Sequence, residues 1–546
     1  MNQKLLPIGQ DDFRRIRESE KESYYVDKTL LIKDFLDYSN PVTLITRPRR
    51  FGKTLNMTMI RDFFDVAADS RAIFQGLAIM ETDYASYINS RPVVYLSFKD
   101  CRERTLDSLL FRIGAVLLIE YEKWRSVIKE HAEGEYYDFY QVYEKLRSRS
   151  IDVNYLSISI EILLRSLARH YKMNPYIIID EYDQPIVSSI EFGYYSDSNL
   201  FFSNFYGSAL KSQEYMEQAL LTGIQRVVKE SVFSQLNNIK VYTVLDKKYS
   251  EYFGLTNDET NDLLAYYDLK LDKSVKEQYN GYIFGGIEIY NPWSLLYYAD
   301  TGKPDNYWIN TSTNFLIKKS IYEANTFFWD GFNKLISNDV AKISADLNSS
   351  IIEINNNHTI WGLLINAGYL TVINQINQYI MTVRIPNEEV KSEFVKIIAE
   401  KASISDTDLF VMFQYLFDKD INAFTDVYRK LVLDCTSYFD AKEQAYHMLF
   451  LGMCLSLSKI YKIYSNIESG YGRSDIRLES LYTIRPHIII EFKQGENIDA
   501  LKSEAINQII NNEYYTGLHG EILCIGIAHD KKRCAVECRS IKVDLN

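Results

Sequence analysis

The sequence predicts an α/β protein in three parts: an amino-terminal parallel sheet, a mostly helical middle region and a smaller carboxyl-terminal α/β unit. Two observations lead to this class. Short apolar strands alternate with amphipathic helices over about the first 250 residues, and strands return beyond about residue 440, after a long helical stretch. Strands that alternate with helices imply a parallel sheet covered on both faces. We place the domain boundaries at 1–255, 256–435 and 436–546.

Apolar runs rich in β-branched residues predict five strands in the amino-terminal part. They are VTLIT (42–46), PVVYLSF (92–98), YIIID (176–180), ALLTGI (219–224) and KVYTVL (240–245). Before the third run, apolar residues recur at the spacing of one helix face, at Ile160, Leu163, Leu164 and Leu167. In the middle region, the aromatic tract 279–298 predicts strands and turns packed on helices.

The carboxyl-terminal part predicts a second, mixed pattern of helices and strands. In chain order it reads as a long apolar helix (441–463), the segment GYGRSDIRL (470–478), a strand HIIIEFK (487–493), a helix (498–513) and a strand EILCIGIA (521–528).

Composition excludes several classes of protein. With 546 residues, 47% of them apolar and 25% charged, the chain has the balance of an ordinary globular protein. Apolar runs of about a dozen residues are too short to span a bilayer, so we expect no membrane partner. Six scattered cysteines and no secretory pattern at the start favour a cytoplasmic location. The net charge of −12 excludes a basic surface over the whole protein, so a nucleic-acid site is expected to be local.

The first candidate site is the segment TRPRRFGKT, which leaves a predicted strand and enters a helix. Backbone N–H groups and the helix dipole favour phosphate at such a position. Lys53 would reach the outer phosphates of a nucleotide, and the Thr54 hydroxyl would contact Mg²⁺. A Gly-Lys-Thr triplet alone is weak evidence, because it arises often by chance.

A second motif strengthens this interpretation. In YIIIDEYD, Asp180 suits magnesium coordination and Glu181 suits a general base for the attacking water. We expect this strand to lie beside the strand that precedes the phosphate loop. Thr222, at the end of a later strand, and Arg226 are further candidates for contact with the phosphates, although a helix cap and a surface arginine explain them equally well.

The second candidate site lies in HIIIEFK. The two-residue period of a strand puts Glu491 and Lys493 on one face and Phe492 on the other. Sixteen residues earlier, Asp475 is expected at one end of the preceding strand. If these strands pair, two carboxylates converge with a lysine, an arrangement suited to Mg²⁺ and to phosphodiester cleavage. An acidic strand end near a lysine is common, so the pattern alone leaves this open.

Motifs in order along nearly the whole chain resemble one family. LPIGQDDFRRIRE, RPRRFGKT, IIIDEYDQPI, YNGYIFG and YNPWSL are similar to AAA-ATPase-like proteins, P-loop NTPases fused to a carboxyl-terminal PD-(D/E)XK nuclease domain. The family itself carries RPRRFGKT, so Arg47 at the usual first glycine is a family trait. The resemblance implies that Arg50, Phe51 and Gly52 belong to the nucleotide-binding loop, with ATP and Mg²⁺ as cofactors. A side chain at position 47 is expected to alter the backbone torsions of that loop.

In the carboxyl-terminal part, EQAYHMLFLGM, IESGYGRSDIRL, PHIIIEFK and INQIINNEYY resemble the PD-(D/E)XK domain of the same family. By motif position, Asp475, Glu491 and Lys493 resemble its core triad. Glu443 resembles its leading acidic metal ligand, and Gln508 its helix glutamine. His447, near Glu443, is expected to pack its helix, with support of the site as the alternative.

These observations predict a module that binds and hydrolyses ATP, joined to a Mg²⁺-dependent nuclease. The nuclease is expected to act on nucleic acid, namely DNA, under the control of the bound nucleotide. The first alternative is a nucleotide-gated switch or oligomerisation platform that binds nucleic acid without cleaving it. A homo-oligomer fits either interpretation, because NTPases of this kind often complete their sites between subunits. The second alternative is an interaction protein that docks a partner on the aromatic tract 279–298.

Overall fold

The protein is described from a computed structural model, which divides into two compact units. The first unit comprises Met1–Asn325 and Lys342–Glu389, and the second comprises Thr326–Ala341 and Val390–Asn546. The structure describes residues 3–128, 134, 136–211, 214–226, 238–308, 315–325, 327–328, 331–332, 334–335, 340–347, 357–401, 406–435, 443–457, 460–531 and 533–544.

The described strands, in chain order, are β1 Val42–Thr46, β2 Val93–Ser97, β3 Tyr176–Asp180, β4 Ala219–Gly223, β5 Ile239–Tyr242, β6 Tyr282–Phe284, β7 Ile287–Ile289, β8 Ala341–Ser344, β9 Thr371–Gln375, β10 Ile380–Arg384, β11 Tyr461–Ser469, β12 Gly472–Ser480, β13 His487–Gln494, β14 Gly520–Asp530 and β15 Arg533–Val543.

The described α-helices are α1 Phe13–Arg17, α2 Leu30–Tyr38, α3 Lys53–Phe64, α4 Arg71–Phe74, α5 Leu106–Arg125, α6 Tyr137–Arg147, α7 Val153–Tyr171, α8 Gln184–Glu191, α9 Tyr195–Leu210, α10 Asn257–Tyr266, α11 Lys273–Tyr279, α12 Pro292–Thr301, α13 Phe315–Tyr322, α14 Asn357–Asn366, α15 Glu388–Lys401, α16 Asp406–Phe417, α17 Ile421–Cys435, α18 Glu443–Cys454 and α19 Ile498–Asn511.

The first unit is built on a five-stranded parallel sheet in the order β2-β3-β4-β1-β5. Every residue of β1, β3 and β4 is buried, as their continuous apolar runs predict for strands covered on both faces. All five predicted strands are confirmed. The expectation that β1 and β3 are neighbours is wrong, because β4 pairs with both of them and lies between them.

Helix α7 confirms the helical periodicity seen before the third strand. Ile160, Leu163, Leu164 and Leu167 are all buried on it. Asp152 caps this helix by accepting the backbone N–H groups of residues 154 and 155. The helix therefore starts at a capping carboxylate and buries one apolar face.

The aromatic tract 279–298 belongs to the core of the first unit. It runs from the end of α11 through the β6–β7 hairpin into α12. Tyr279, Tyr282, Phe284 and Tyr290 have at most 2% of their surface exposed. These side chains pack inside the unit, which leaves the tract with little apolar surface for docking a partner.

The second unit contains a five-stranded mixed sheet in the order β11-β12-β13-β14-β15. Only β13 and β14 are parallel; the other neighbouring pairs are antiparallel. The crossover between the parallel strands contains α19, which packs on both of them. The predicted strands at 487–493 and 521–528 are confirmed, and the helix predicted at 498–513 ends at Asn511.

Two expectations for this unit are wrong. The long helix predicted at 441–463 ends at Cys454, and Tyr461–Ser469 forms strand β11. Alternating residues in YKIYSNIES favour a strand, although they directly follow a helical apolar run. Asp475 was expected at the end of a strand but lies inside β12, the fourth residue of GRSDIRLES.

Within the part of the chain that the structure describes, no helix combines the length and the apolar character that crossing a membrane requires.

Candidate active sites

The loop between β1 and α3 has two residues in the left-handed region of backbone conformation. Gly52, which precedes the first residue of α3, has φ 78°, and Arg50 has φ 70°. Arg47 is not among the described residues with positive φ. The arginine at the usual glycine position therefore keeps an ordinary conformation, and the left-handed turn needed to enter the helix falls later in the loop.

The Arg47 side chain points into the protein core and is fully buried. Its Nη1 donates to the carbonyl oxygens of Thr46, at 2.8 Å, and Tyr242, at 3.3 Å. The rings of Phe253 and Phe284 each lie 5.5 Å from its Cζ. Burial lowers the pKa of Arg47 to about 10. This residue ties the loop to the end of β5 and to the aromatic core.

Lys53, the first residue of α3, is buried with its ammonium group turned toward the loop. Nζ donates to the carbonyl oxygens of Arg47, at 3.1 Å, and Pro48, at 2.8 Å. Burial lowers the pKa of Lys53, and the carboxylates of Glu181 and Asp180 oppose that shift. A cation held inside a loop at a helix amino terminus is placed to bind phosphate.

Asp180, the last residue of β3, bonds to the start of helix α3 and to strand β4, which lies between β1 and β3. Thr54 Oγ1 donates to Asp180 Oδ2, and Thr222 Oγ1 donates to Oδ1, both at 2.7 Å. Burial raises the pKa of Asp180, while the two hydroxyl groups lower it. Three residues from β4, β3 and the start of α3 thus meet, although β1 and β3 are not neighbours.

Glu181 follows directly, with the strained backbone angle φ 51°. Burial raises the pKa of Glu181 to about 7, and the neighbouring Asp180 carboxylate adds to the shift. A carboxylate with a pKa near neutrality is suited to accept a proton from water.

A cavity of about 520 Å³ opens at this end of the parallel sheet. Its polar lining includes Arg50, Gly52, Lys53, Thr54 and Glu181. Apolar residues line it as well, among them Pro292, Trp293, Leu296, Trp308 and Leu316. A cavity lined by both charged and apolar residues suits a nucleotide, which has a charged phosphate end and a largely apolar base.

The remaining loop candidates differ in their placement. The Arg50 guanidinium lies over the Trp293 ring, with Cζ 3.7 Å from the ring centre, at the cavity wall. Phe51 is fully buried against the rings of Tyr282 and Phe284 instead. Among the described residues, Phe51 and Arg226 are not part of the cavity lining, and neither is Thr222.

Sequence reasoning missed the second half of the DEYD motif. Asp183 is buried and accepts the backbone N–H groups of Ile224, at 2.8 Å, and Gln225, at 3.1 Å. A Cβ on Gly223 would lie 2.7 Å from Asp183 Oδ1, so glycine is needed for this close packing. The repeated acid in the motif was the only signal, since its partners lie more than 40 residues away.

The second candidate site lies on strands β12 and β13 of the second unit. Ile476 pairs with Ile490, so Asp475 and Glu491 are the next residues in register. Phe492 N donates to Asp475 Oδ2 at 2.8 Å, and Asp475 N approaches Glu491 Oε2 at 3.4 Å. Phe492 is fully buried on the opposite face, as the strand period predicts.

Gln508 on α19 connects the lysine and the glutamate of this site. Lys493 Nζ donates to Gln508 Oε1 at 2.5 Å, and Gln508 Nε2 donates to Glu491 Oε1. Lys493 Nζ also lies 3.8 Å from Glu491 Oε1. The Tyr514 hydroxyl accepts from Gln508 Nε2 at 3.1 Å. The structure therefore brings together Asp475, Glu491, Lys493 and Gln508.

His447 on α18 supports the strand that carries Asp475. Its Nε2 lies 3.0 Å from the Asp475 carbonyl oxygen, where the imidazole donates. Burial lowers the pKa of His447 to about 4, and burial raises the pKa of Asp475. The residue both packs its helix and bonds to the site strand.

The candidate metal ligands are Glu443, Asp475 and Glu491. Glu443 begins α18, but its side chain lies outside the described residues. Elsewhere in the described chain, no three His, Cys, Asp or Glu side chains form a group placed to hold one ion. Asp475 Oδ1 takes no hydrogen bond from any described residue, which leaves one carboxylate oxygen of a half-buried residue for a ligand.

Comparisons with known proteins agree with this arrangement. The family model of a predicted AAA-ATPase matches residues 7–233, and the model of the PD-(D/E)XK nuclease superfamily matches residues 441–538. The chain is 28% identical over 416 residues to an uncharacterized protein in the vnfD 5′ region of Azotobacter chroococcum mcd 1. That match covers 74% of this chain and 72% of the relative.

The family matches place the loop, Asp180 and Glu181 within the first domain, and Asp475, Glu491, Lys493 and Gln508 within the second. Both families suggest hydrolase activity. The chain thus combines an amino-terminal AAA-ATPase-like domain with a carboxyl-terminal domain of the PD-(D/E)XK nuclease superfamily.

Proposed function

We propose that this protein is a Mg²⁺-dependent nuclease controlled by the binding and hydrolysis of ATP. The observation that carries the nuclease part is the bonded cluster of Glu491, Gln508 and Lys493, with Asp475 next to it across the strand pair. Two carboxylates and a lysine on two paired strands, held by a glutamine from helix α19, suit phosphodiester hydrolysis better than simple binding.

In this proposal Asp475 and Glu491 would hold Mg²⁺, with Glu443 as a further ligand. Oxygen ligands from one or two carboxylates, completed by water, are what this ion prefers. When bound, Mg²⁺ would polarise the scissile phosphate and lower the pKa of a bound water. The free Oδ1 of Asp475 supports this fit.

Lys493 would orient the attacking water and offset the negative charge that develops on the phosphate. Gln508 keeps the ammonium group in position, because its carboxamide bonds to Lys493 and to Glu491 at once. The water loses a proton to solvent as its oxygen forms a bond to phosphorus. The bond from phosphorus to the sugar oxygen breaks, and that oxygen leaves with the electron pair and takes a proton from solvent.

At the first site, ATP would place its outer phosphates against Lys53 and the loop N–H groups. Thr54 and Asp180 would hold the accompanying Mg²⁺, a role that their direct hydrogen bond supports by holding both oxygens together. Glu181 would accept the proton of the attacking water, since its pKa of about 7 matches that task. Thr222 and Arg226 would support the phosphate end of the site.

The proposal includes further expectations. Working domain boundaries are 1–255, 256–435 and 436–546, with DNA as the substrate of the last domain. We infer a cytoplasmic protein that forms a homo-oligomer. Nucleotide control of cleavage is motivated by the presence of both sites in one chain.

The test uses purified full-length protein with linear DNA, circular DNA and RNA in Mg²⁺, with ATP, with a non-hydrolysable analogue and without nucleotide. We expect cleavage of DNA that differs between the nucleotide states. Lys53→Ala should abolish that difference, because the phosphates lose their main cation. Cleavage by Lys53→Ala with an unchanged response to ATP would contradict nucleotide control. If the wild-type protein binds nucleic acid without cleaving it in every condition, the result would favour the alternative of a nucleotide-gated binding protein.

A further inference from the structure

The segment that follows β4 is held by the two residues after the candidate base Glu181. Asp183 Oδ2 accepts the N–H groups of Ile224 and Gln225, and the Tyr182 hydroxyl donates to the Gln225 carbonyl oxygen at 2.6 Å. Both backbone polar groups of Gln225 are therefore bonded to the DEYD motif. Tyr182 is fully buried and Asp183 is 4% exposed. The backbone of Gln225 is fixed relative to Glu181.

The side chain of Gln225 has no comparable partner. Gln225 is only 6% exposed, and it lines the same cavity as Lys53, Thr54 and Glu181. Among the residues that the structure describes, none forms a hydrogen bond with its carboxamide, while its N–H and carbonyl oxygen are both used. Because Gln225 lines the cavity and its carboxamide has no partner among the described residues, the carboxamide is available to a polar ligand there.

Thr222, the other polar candidate near the end of β4, is placed differently. Its hydroxyl donates to Asp180, and it is fully buried behind the cavity lining. Thr222 therefore serves to orient the Asp180 carboxylate. Gln225, three residues later, lines the cavity, as Glu181 does.

We propose that Gln225 is a catalytic residue whose carboxamide positions the water that attacks the γ-phosphate of ATP. This inference rests on the proposed function of the first site. Oε1 accepts a hydrogen bond from the water, and Nε2 donates to a γ-phosphate oxygen, as glutamine does in other phosphoryl-transfer sites.

The reaction balances with the groups present. The water oxygen forms a bond to the γ-phosphorus, and its proton passes to Glu181. The bond from the γ-phosphorus to the bridging oxygen breaks, and that oxygen leaves with the electron pair on ADP. Tyr182 and Asp183 are positioning residues, because they act on the water only through the backbone of Gln225.

The test measures ATP hydrolysis and ATP affinity for the full-length protein, Gln225→Ala, Gln225→Glu and the control Gln75→Ala. Gln75 is an exposed glutamine outside the cavity. We expect Gln225→Ala to lower kcat by about 100-fold, with ATP affinity changed less than about twofold, because a positioning contact is made mainly in the transition state. Gln225→Glu has nearly the same size, so a lower kcat with an unchanged thermal melting curve separates lost chemistry from lost folding.

Hydrolysis by folded Gln225→Ala at the wild-type rate would overturn the inference. A loss of ATP affinity as large as the loss of rate would also overturn it, because the carboxamide would then serve binding. A wild-type protein that binds ATP without hydrolysing it is a different result, since it removes the ATPase part of the proposed function itself.

Discussion

Gly526→Ala is predicted to push helix α19 away from the sheet of the second unit. Gly526 lies on β14, directly opposite Glu491 in the parallel pairing of β13 and β14. A Cβ at this position would lie 2.1 Å from the carbonyl oxygen of Lys502 and 3.1 Å from the Ala505 Cβ. The closest atom belongs to the helix backbone, so no side-chain rotation relieves the contact.

The size of the effect follows from these distances. An ordinary carbon–oxygen contact is about 3.3 Å, so the helix must retreat by about 1.2 Å. Gln508 on the same helix would then lose its 2.5 Å bond to Lys493. Overpacking of this kind costs about 2–3 kcal/mol of unfolding free energy. Misplacement by about 1 Å lowers the rate of a positioned reaction by about 100-fold.

The assay compares thermal unfolding and hydrogen exchange of β13 and β14 with the rate of DNA cleavage. Gly495→Ala is the matched control, because its Cβ would meet only the flexible end of Leu501, at 2.9 Å. We expect the control to stay close to wild type in all three measurements. Gly526→Ala with wild-type stability and exchange would refute the packing argument. Wild-type cleavage by a destabilised variant would refute the role given to Gln508.

Two further predictions concern the first unit. Burial raises the pKa of the Glu389 carboxyl to about 7. The folded chain therefore binds a proton at Glu389 more tightly than the unfolded chain does. Its free energy of unfolding should fall as pH rises from about 4.5 to about 7. Glu389→Gln can still accept from the Trp308 N–H and bond to Ser294, so it should flatten that part of the stability–pH curve. An unchanged curve would contradict the role of Glu389 in this pH dependence. Trp293→Ala should weaken ATP binding about 10-fold by titration, because Arg50 loses the ring that holds its guanidinium at the cavity wall, whereas Trp293→Phe should keep most of the affinity. Equal affinities for wild type and Trp293→Ala would contradict that role.

Local sequence patterns predicted most elements of the fold. The apolar runs at β1, β3 and β4 were clear because these strands are buried on both faces. Local patterns did not predict the order of these strands in the sheet. Strand β4 pairs with both β1 and β3, and contacts between residues far apart in the sequence determine that pairing. Strand β11 was missed because its alternating residues follow an apolar helix with no Gly or Pro between them to mark the end of the helix.

The candidate sites were predictable where one short motif carries several functional residues. Asp180 and Glu181 stand together in one motif, and Glu491 and Lys493 share one strand face. The positions of Gln225 and Asp183 depend on hydrogen bonds between segments more than 40 residues apart, and no local pattern reports them. The role of Gln508 came only from family resemblance, because its two partners lie on another element.

Glu443 remains a prediction, since its side chain lies outside the described residues. The roles of the other site residues also remain predictions, although the structure brings the central ones together.

The central claim is tested most directly by cleavage of DNA in Mg²⁺ by the wild-type protein and by Lys493→Ala. Lys542→Ala is a matched control, because Lys542 is an exposed lysine on β15 of the same sheet. The proposed mechanism predicts cleavage by wild type and Lys542→Ala, and a rate at least about 100-fold lower for folded Lys493→Ala. Equal cleavage by all three proteins, or no cleavage by wild type in any nucleotide state, would contradict it.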